Sequence, residues 1–310
     1  MSSHPGRRPL LVSMICAAAL ALSGCGGGSD PLATGTASYG SGAGDTITVG
    51  SANFPESVLL AQMYAGALQA KGVKVSTKLN IGSRETYIPA LQDGSIDLLP
   101  EYNGALLSYF AKNPKARDSQ GVYDELKAVL PKGLSLLEQS SAQDKDTLTV
   151  TKATAAKYSL RSITDLAGKS QNLTIGAGPE FKTRRAGLVG LKEVYGLTFK
   201  QFVPLNSGGP LNVAALKNGN VDITDVFSTD SAIQTNGFVV LQDPKNLFLA
   251  QNVVPVIRTS KLTPTVTAAL NAVSARLTTP VLSAELKKVQ VDKQDPAAVA
   301  KAWLNANGLG

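Results

Sequence analysis

The chain runs to 310 residues, 43% hydrophobic and 17% charged, with a formal net charge of +7. Its single histidine, His4, and its two cysteines, Cys16 and Cys25, all lie near the N-terminus. The rest of the chain therefore holds no Ser–His–Asp triad, no cysteine nucleophile, no disulfide and no common zinc site, and catalysis is left to carboxylates alone. Basic residues are scattered apart from Lys182–Arg185 and Lys287-Lys288, so the concentrated stripe with stacking aromatics that marks nucleic-acid binding is missing.

The first element, residues 1–24, reads as a targeting segment. Arg7 and Arg8 form a positive n-region, and Leu10–Leu22 is an apolar run too short to span a bilayer. It ends in Leu22-Ser23-Gly24-Cys25, which resembles the lipobox of bacterial lipoproteins. That resemblance implies that Cys25 becomes the first mature residue and carries acyl chains, anchoring the protein to the outer face of the cell membrane. Each buried CH₂ contributes about 0.8 kcal/mol, so several chains hold firmly. Residues 25–45, rich in Gly, Ser, Ala and Thr, have the composition of a flexible tether.

From residue 46 onward the pattern is α/β. ITVGSA (Ile47–Ala52), a helical stretch Glu56–Lys71 and a strand-like Val73–Ser83 lead to ALQDGSIDLLPEY (Ala90–Tyr102). The same grammar returns in LTIGAG (Leu173–Gly178), a helical stretch Thr183–Tyr195, a strand-like Leu197–Gly208 and ALKNGNVDITDVF (Ala215–Phe227). Each copy of the closing motif places Gly four residues after Ala, Asp three later and an aromatic five beyond that. Gly suits the left-handed residue after a helix, and the apolar run that follows suits a buried strand. Two strand–helix repeats predict two lobes of similar build, each a mostly parallel sheet flanked by helices. Ligands of such sheets bind beyond the carboxyl ends of strands, so Tyr102 and Phe227 are predicted to face one cleft between the lobes.

Around these motifs several readings stand side by side. In SANFPES (Ser51–Ser57), Pro55 and Glu56 are ordinary helix-start chemistry, while Ser57 and the loop amides are equally placed to face the cleft. In SRETY (Ser83–Tyr87), Tyr87 either lines the cleft or packs on the lobe. Residues 111–133 are polar and Pro-bearing and read as a connection, followed by Ser135–Gln139. Thr147–Thr151 reads as the first crossing into the second lobe and Asn252–Arg258 as the return. The boundaries expected are 46–147 for the first part of lobe 1, 148–254 for lobe 2 and 255–310 for the return part of lobe 1. ITDLAG (Ile163–Gly168) reads as a short helix, and Phe238–Leu241 as a strand. Arg184, in EFKTRR at a helix start, is either a solvated basic turn or a grip for a ligand anion. The tail Pro264–Leu309 is helical in pattern, with the single tryptophan, Trp303, as a packing anchor.

The series VGSANFPES, GSRETYIPALQDGSIDLLPEYNG, ITDLAG, EFKTRRAGL, LKNGNVDITDVFSTD and VVPVIR, running over roughly residues 46–305, resembles the substrate-binding proteins of ABC importers for glycine betaine, choline and related osmoprotectants. The resemblance implies a two-lobed type II periplasmic-binding fold that closes on its solute and performs no chemistry. It implies as partners an ABC permease and ATPase, with no cofactor and no metal, and a monomer. It also implies a tyrosine box that holds a quaternary ammonium by cation–π attraction, about 0.5–2 kcal/mol per ring. On that resemblance Tyr102 matches the first box tyrosine. Phe227, Leu148 and Gln251 stand where many members carry tyrosine, Ala105 stands in place of a threonine, and Arg184 matches an arginine that binds a ligand carboxylate. With the box so altered, a substitute ring would have to come from Tyr87, Phe54 or Phe181, and a betaine or choline stands beside an aromatic or other non-betaine solute as the implied ligand. A carboxylate enzyme using Glu101, Asp97, Asp225 or Asp230, and an envelope sensor, are the competing classes.

Overall fold

The computed structural model describes residues 46–310. The targeting segment 1–24, the lipid site Cys25 and the tether lie outside the described residues. In chain order the elements are β1 (Ile47–Gly50), α1 (Pro55–Ala70), β2 (Val75–Lys78), α2 (Arg84–Asp93), β3 (Leu98–Tyr102), α3 (Asn103–Phe110), α4 (Ser119–Val129) and β4 (Leu134–Leu136). There follow β5 (Asp146–Val150), α5 (Lys152–Tyr158), β6 (Thr174–Ala177), α6 (Leu188–Tyr195), β7 (Gln201–Pro204), α7 (Pro210–Lys217), β8 (Ile223–Phe227), α8 (Ala232–Thr235) and β9 (Val239–Val240). The chain closes with β10 (Val253–Arg258), α9 (Pro264–Arg276), α10 (Thr279–Gln290) and α11 (Pro296–Ala306).

The strands form two five-stranded sheets, ordered β2-β1-β3-β10-β4 and β7-β6-β8-β5-β9. Within each, the first three strands run parallel, and the fourth runs antiparallel to both of its neighbours. The sheets are thus mixed: four strands of each point one way, as the strand–helix repeat predicts, and one runs against them. The reason lies in the crossings. A chain arriving from the other lobe enters at the cleft, where the parallel strands end, and must run back against them. The start of β10 accordingly pairs with the end of β3 (Val253 with Tyr102), and the start of β5 with the end of β8 (Asp146 with Phe227). β5 opens two residues ahead of the expected boundary at 148, and β10 two ahead of that at 255. Both lobes belong to one compact unit.

The repeated motif does the same work in both lobes. Gly94 closes α2 in the left-handed region at φ 88°, and Gly219 lies just past α7 at φ 72°, a conformation that costs glycine little. Three residues on, Asp97 Oδ2 accepts from the Thr48 amide of β1 at 2.9 Å, and Asp222 Oδ2 accepts from the Thr174 amide of β6 at 2.8 Å. Each aspartate also returns its own amide to the same threonine carbonyl, at 2.8 and 2.9 Å respectively. The motif therefore ties each central strand to its neighbour, which explains why the spacing is kept.

The core of lobe 1 is built on α1, which buries residues around its whole circumference because α9, α10 and α11 cover it. Trp303 anchors α11 in that core. Lobe 2 has its own core around Leu148, Ile175, Phe181 and Ile223. Two helical readings change. Residues 111–133 contain α4, started by Asp118 accepting from the Gly121 amide at 2.9 Å and buried through Val122 and Leu126. The stretch Thr183–Tyr195 is helical only from Leu188, because Gly187 ahead of it is extended; a separate 3₁₀ turn, Pro179–Lys182, ends at Thr183. The other elements fall close to their expected places, though β2 and β7 are shorter than the apolar runs that contain them.

Candidate functional site

The carboxyl ends of β3 and β8 face each other across a cleft enclosing about 420 Å³ of empty space, part of it open to solvent. Tyr102 and Phe227, the last residues of those strands, both line it. Between them stands a third ring, Phe54, with centroids 6.1 Å from Tyr102 and 5.0 Å from Phe227 and planes tilted by 33° and 59°. Local chemistry puts Phe54 there. It precedes Pro55, and a residue before proline is held extended. At φ −138° and ψ 154° it sits at the N-terminus of α1 outside the helix. Gly208 makes room on the other side, since a Cβ there would stand 2.7 Å from the Phe227 ring.

Behind the rings lies a group of buried acids. Glu56, in the first turn of α1, accepts from the Tyr102 hydroxyl at 2.7 Å and from Thr229 Oγ1, on the opposite lobe, at 2.5 Å. Asp144 stands close by, and its Oδ1 accepts from the Thr229 amide at 3.0 Å. Burial raises both Glu56 and Asp144 above the ordinary carboxylate range, Asp144 strongly, and their proximity adds to the rise at Asp144. Burial likewise raises the Tyr102 hydroxyl, which faces these acids.

Two guanidinium groups face the cleft, and each holds a carboxylate in its fork. Arg84 donates through Nε and Nη2 to Glu101 at 2.8 and 2.9 Å. Glu101 is fully buried and also accepts from the Tyr87 hydroxyl at 2.6 Å and the Tyr102 amide at 2.9 Å. Arg184 reaches across the cleft and donates through Nε and Nη2 to Glu85 at 2.8 and 2.7 Å. Partial burial pulls the Glu85 carboxyl up, but the bonds from Arg184 and Ser83 outweigh it and carry the group down to about 2.

The structure brings Tyr102, Phe227, Tyr87, Ala105, Arg184 and Gln251 together on the cleft wall. Gln251 is buried and donates to Asp146 Oδ2 at 2.8 Å. Leu148 and Ser57 do not join them. Leu148 is fully buried in the core of lobe 2, because it stands two residues inside β5, and Asp146 at the mouth of the strand takes the cleft position. Ser57 lies buried in α1, where its Oγ accepts from the Ala52 amide at 2.9 Å and so shapes the loop that carries Phe54. Arg184 stands in a turn ahead of α6, not on its first turn. Sequence reasoning named Phe54 only as a substitute ring, and missed Glu56, Arg84, Asp144 and Asp146 as parts of the site. Pro55 was the signal for Phe54; nothing local marks the acids, whose partners lie far along the chain. Among the carboxylates considered for catalysis, Asp97 ties strands, Glu101 is saturated by its three donors, and Asp230 accepts from the Ala232 amide at 2.8 Å. Asp225 is buried with its Oδ1 unpartnered among the described residues.

The substrate binding domain of the ABC-type glycine betaine transport system matches residues 45–306 as a family. The chain belongs to this family. Its relatives include a glycine-betaine-binding protein of Pseudomonas aeruginosa, 27% identical over 278 residues, covering 86% of this chain and 89% of that protein. Another is the ergothioneine transport permease/ergothioneine binding protein EgtU of Helicobacter pylori, 27% identical over 259 residues, covering 82% of this chain and 46% of that longer protein. Among solved structures, a glycine betaine/carnitine/choline ABC transporter protein aligns with TM-score 0.66 at 23% identity, covering 85% of this chain and 99% of that one. A choline binding protein in complex with choline aligns with TM-score 0.66 at 18% identity, covering 86% and 90%. These structures share the two-lobed fold. The family to which this chain belongs binds solute for ABC transport, and its named relatives are solute-binding proteins.

Proposed function

We propose that this protein is a lipid-anchored receptor on the outer face of the cell membrane that closes its two lobes on a small quaternary-ammonium solute. It then delivers the solute to an ABC permease driven by its ATPase. The observation that carries the reading is the row of three rings, Tyr102, Phe54 and Phe227, drawn from both lobes onto one cleft wall. An ammonium group desolvated against such faces gains about 2 kcal/mol or more. Phe54 replaces a ring of the family's box, while Tyr87, Ala105, Gln251 and Arg184 shape the remaining wall. Membership of the family and the names of its relatives support betaine, choline or carnitine chemistry.

Calorimetric titration with glycine betaine, choline and carnitine tests this directly. Micromolar binding of any one of them supports it, and silence with all three overturns it. The kinship with an ergothioneine binding protein favours a second reading, in which a betaine bearing an aromatic ring fills the cleft. Ergothioneine in the same titration distinguishes the two. Anchoring at Cys25 is tested separately: a labelled fatty acid is expected on the wild-type protein and absent from Cys25→Ser, which would be shed into the medium.

A further inference from the structure

The charges on the cleft wall do not balance. Both guanidinium forks that face it are filled from within the protein, Arg84 by Glu101 and Arg184 by Glu85, each through two bonds of 2.9 Å or less. Asp144 and Asp146 line the same cleft, with Glu56 just behind. Among the described residues no Lys or Arg forms an ion pair with any of these three acids. The rings add the negative faces of their π-systems. A cation entering the cleft meets the ring faces and Asp146, while both guanidinium groups there are already paired with carboxylates. A carboxylate meets two forks whose Nε and Nη2 edges are already filled, with the Asp146 side chain beside them.

Resting on the quaternary-ammonium reading above, we infer that Glu85 is a specificity-determining residue: by filling the Arg184 fork from the opposite lobe, it reserves the cleft for organic cations without a carboxylate, such as choline, and against zwitterions such as glycine betaine. Glu85 suits this role because it sits at the start of α2, where its oxygens reach the Nε and Nη2 edge of Arg184, the edge that a solute carboxylate would otherwise occupy. It remains ionised down to about pH 2, so the fork stays filled under all physiological conditions. The same bridge ties the lobes together, and closure is achieved without any contribution from a ligand anion.

The test is the ratio of choline to glycine betaine affinity, measured by calorimetry on the purified wild-type protein and on Glu85→Gln. Any loss of closure free energy caused by breaking the bridge weakens both ligands alike and cancels in the ratio. The wild type is expected to favour choline by about tenfold or more, and Glu85→Gln to close most of that gap by gaining betaine affinity. Adding Arg184→Gln to Glu85→Gln is expected to abolish the gain. Betaine bound as tightly as choline by the wild type, or a ratio unchanged in Glu85→Gln, overturns the inference while leaving the ammonium reading in place. Silence with every ammonium solute overturns both.

Discussion

Glu101 shows how a single residue changes meaning between sequence and structure. In the sequence it is an acid beside a strand-end tyrosine, a fair candidate for proton transfer. In the fold it is fully buried and accepts from Arg84, Tyr87 and the Tyr102 amide, which leaves no lone pair facing a solute. Its work is to hold Arg84 and Tyr87 in the wall. Removing one member of a buried, hydrogen-bonded ion pair costs about 3–5 kcal/mol, because the other charge is left unpaired. Glu101→Ala is therefore expected to lower unfolding stability by that amount in urea, and a loss below about 1 kcal/mol would show that water reaches Arg84. Phe54 makes the complementary case. It is only half buried and packs between two rings, so its removal should spare the fold and strike the ligand. Phe54→Ala is expected to weaken solute binding about tenfold or more, with a melting temperature close to wild type, and unchanged affinity would remove Phe54 from the site.

At the level of elements, the twin motif offers an internal control. Gly94 and Gly219 are the same residue in the same turn, both in the left-handed region. A Cβ at Gly219 meets nothing within 4 Å, whereas one at Gly94 falls 2.4 Å from Arg258 Nη1. Each Gly→Ala change carries about 1–2 kcal/mol of backbone strain. Gly94→Ala should cost about 1 kcal/mol more, since it also pushes Arg258 off Asp97, the bridge at 3.2 Å. Equal losses in the two variants, read from denaturation midpoints, would mean that the arginine moves aside without consequence. This motif is also where the fold was most legible, because Gly spacing, the Asp tie and the apolar strand are all local to about a dozen residues. The helix α4 was less so: its cap, Asp118, and its buried pair, Val122 and Leu126, are present, but surrounding Pro and Lys residues mask the period. The direction of β5 and β10 was not legible at all, because it follows from where the chain crosses between lobes. Tyr102, Phe227, Arg184 and Gln251 could be placed from strand ends and family spacing. Leu148 could not, since it stands two residues inside β5, in the core, while Asp146 holds the cleft end of the strand. Glu56 stood in plain view at a helix start, yet its partner Thr229 lies 173 residues on.

Across the whole molecule, two sets of carboxyls that join the lobes respond to pH in opposite senses. Glu85 is held at about 2 against an ordinary value of 4.5, so its bridge to Arg184 contributes fully above the ordinary value and is lost as pH falls toward the lowered one. Glu56 and Asp144 are raised from ordinary values of 4.5 and 3.8, chiefly by burial. For them the protonated form is the one the closed fold prefers. Below the ordinary values they are protonated folded or unfolded and cost nothing; as pH rises toward the raised values, keeping or losing that proton increasingly penalises the fold. Asp225 and Asp230, also raised by burial, act in the same direction. The two slopes place maximum stability in the mildly acidic range, with losses on both sides. Melting temperatures measured from about pH 3 to pH 8 should trace that peak. The variants separate its limbs. Tyr102 and Thr229 donate to different oxygens of Glu56. In Glu56→Gln the carbonyl keeps one of these bonds and the amide nitrogen donates at the other position, so the titrating charge is gone, and the decline toward neutral pH should flatten while the acid limb remains. Glu85→Gln should soften the acid limb and leave the decline toward neutral. A wild-type protein that grows steadily more stable from mildly acidic to neutral pH would show that burial does not raise these acids, and the lobe contact around Glu56 would then have to be neutralised by some other charge.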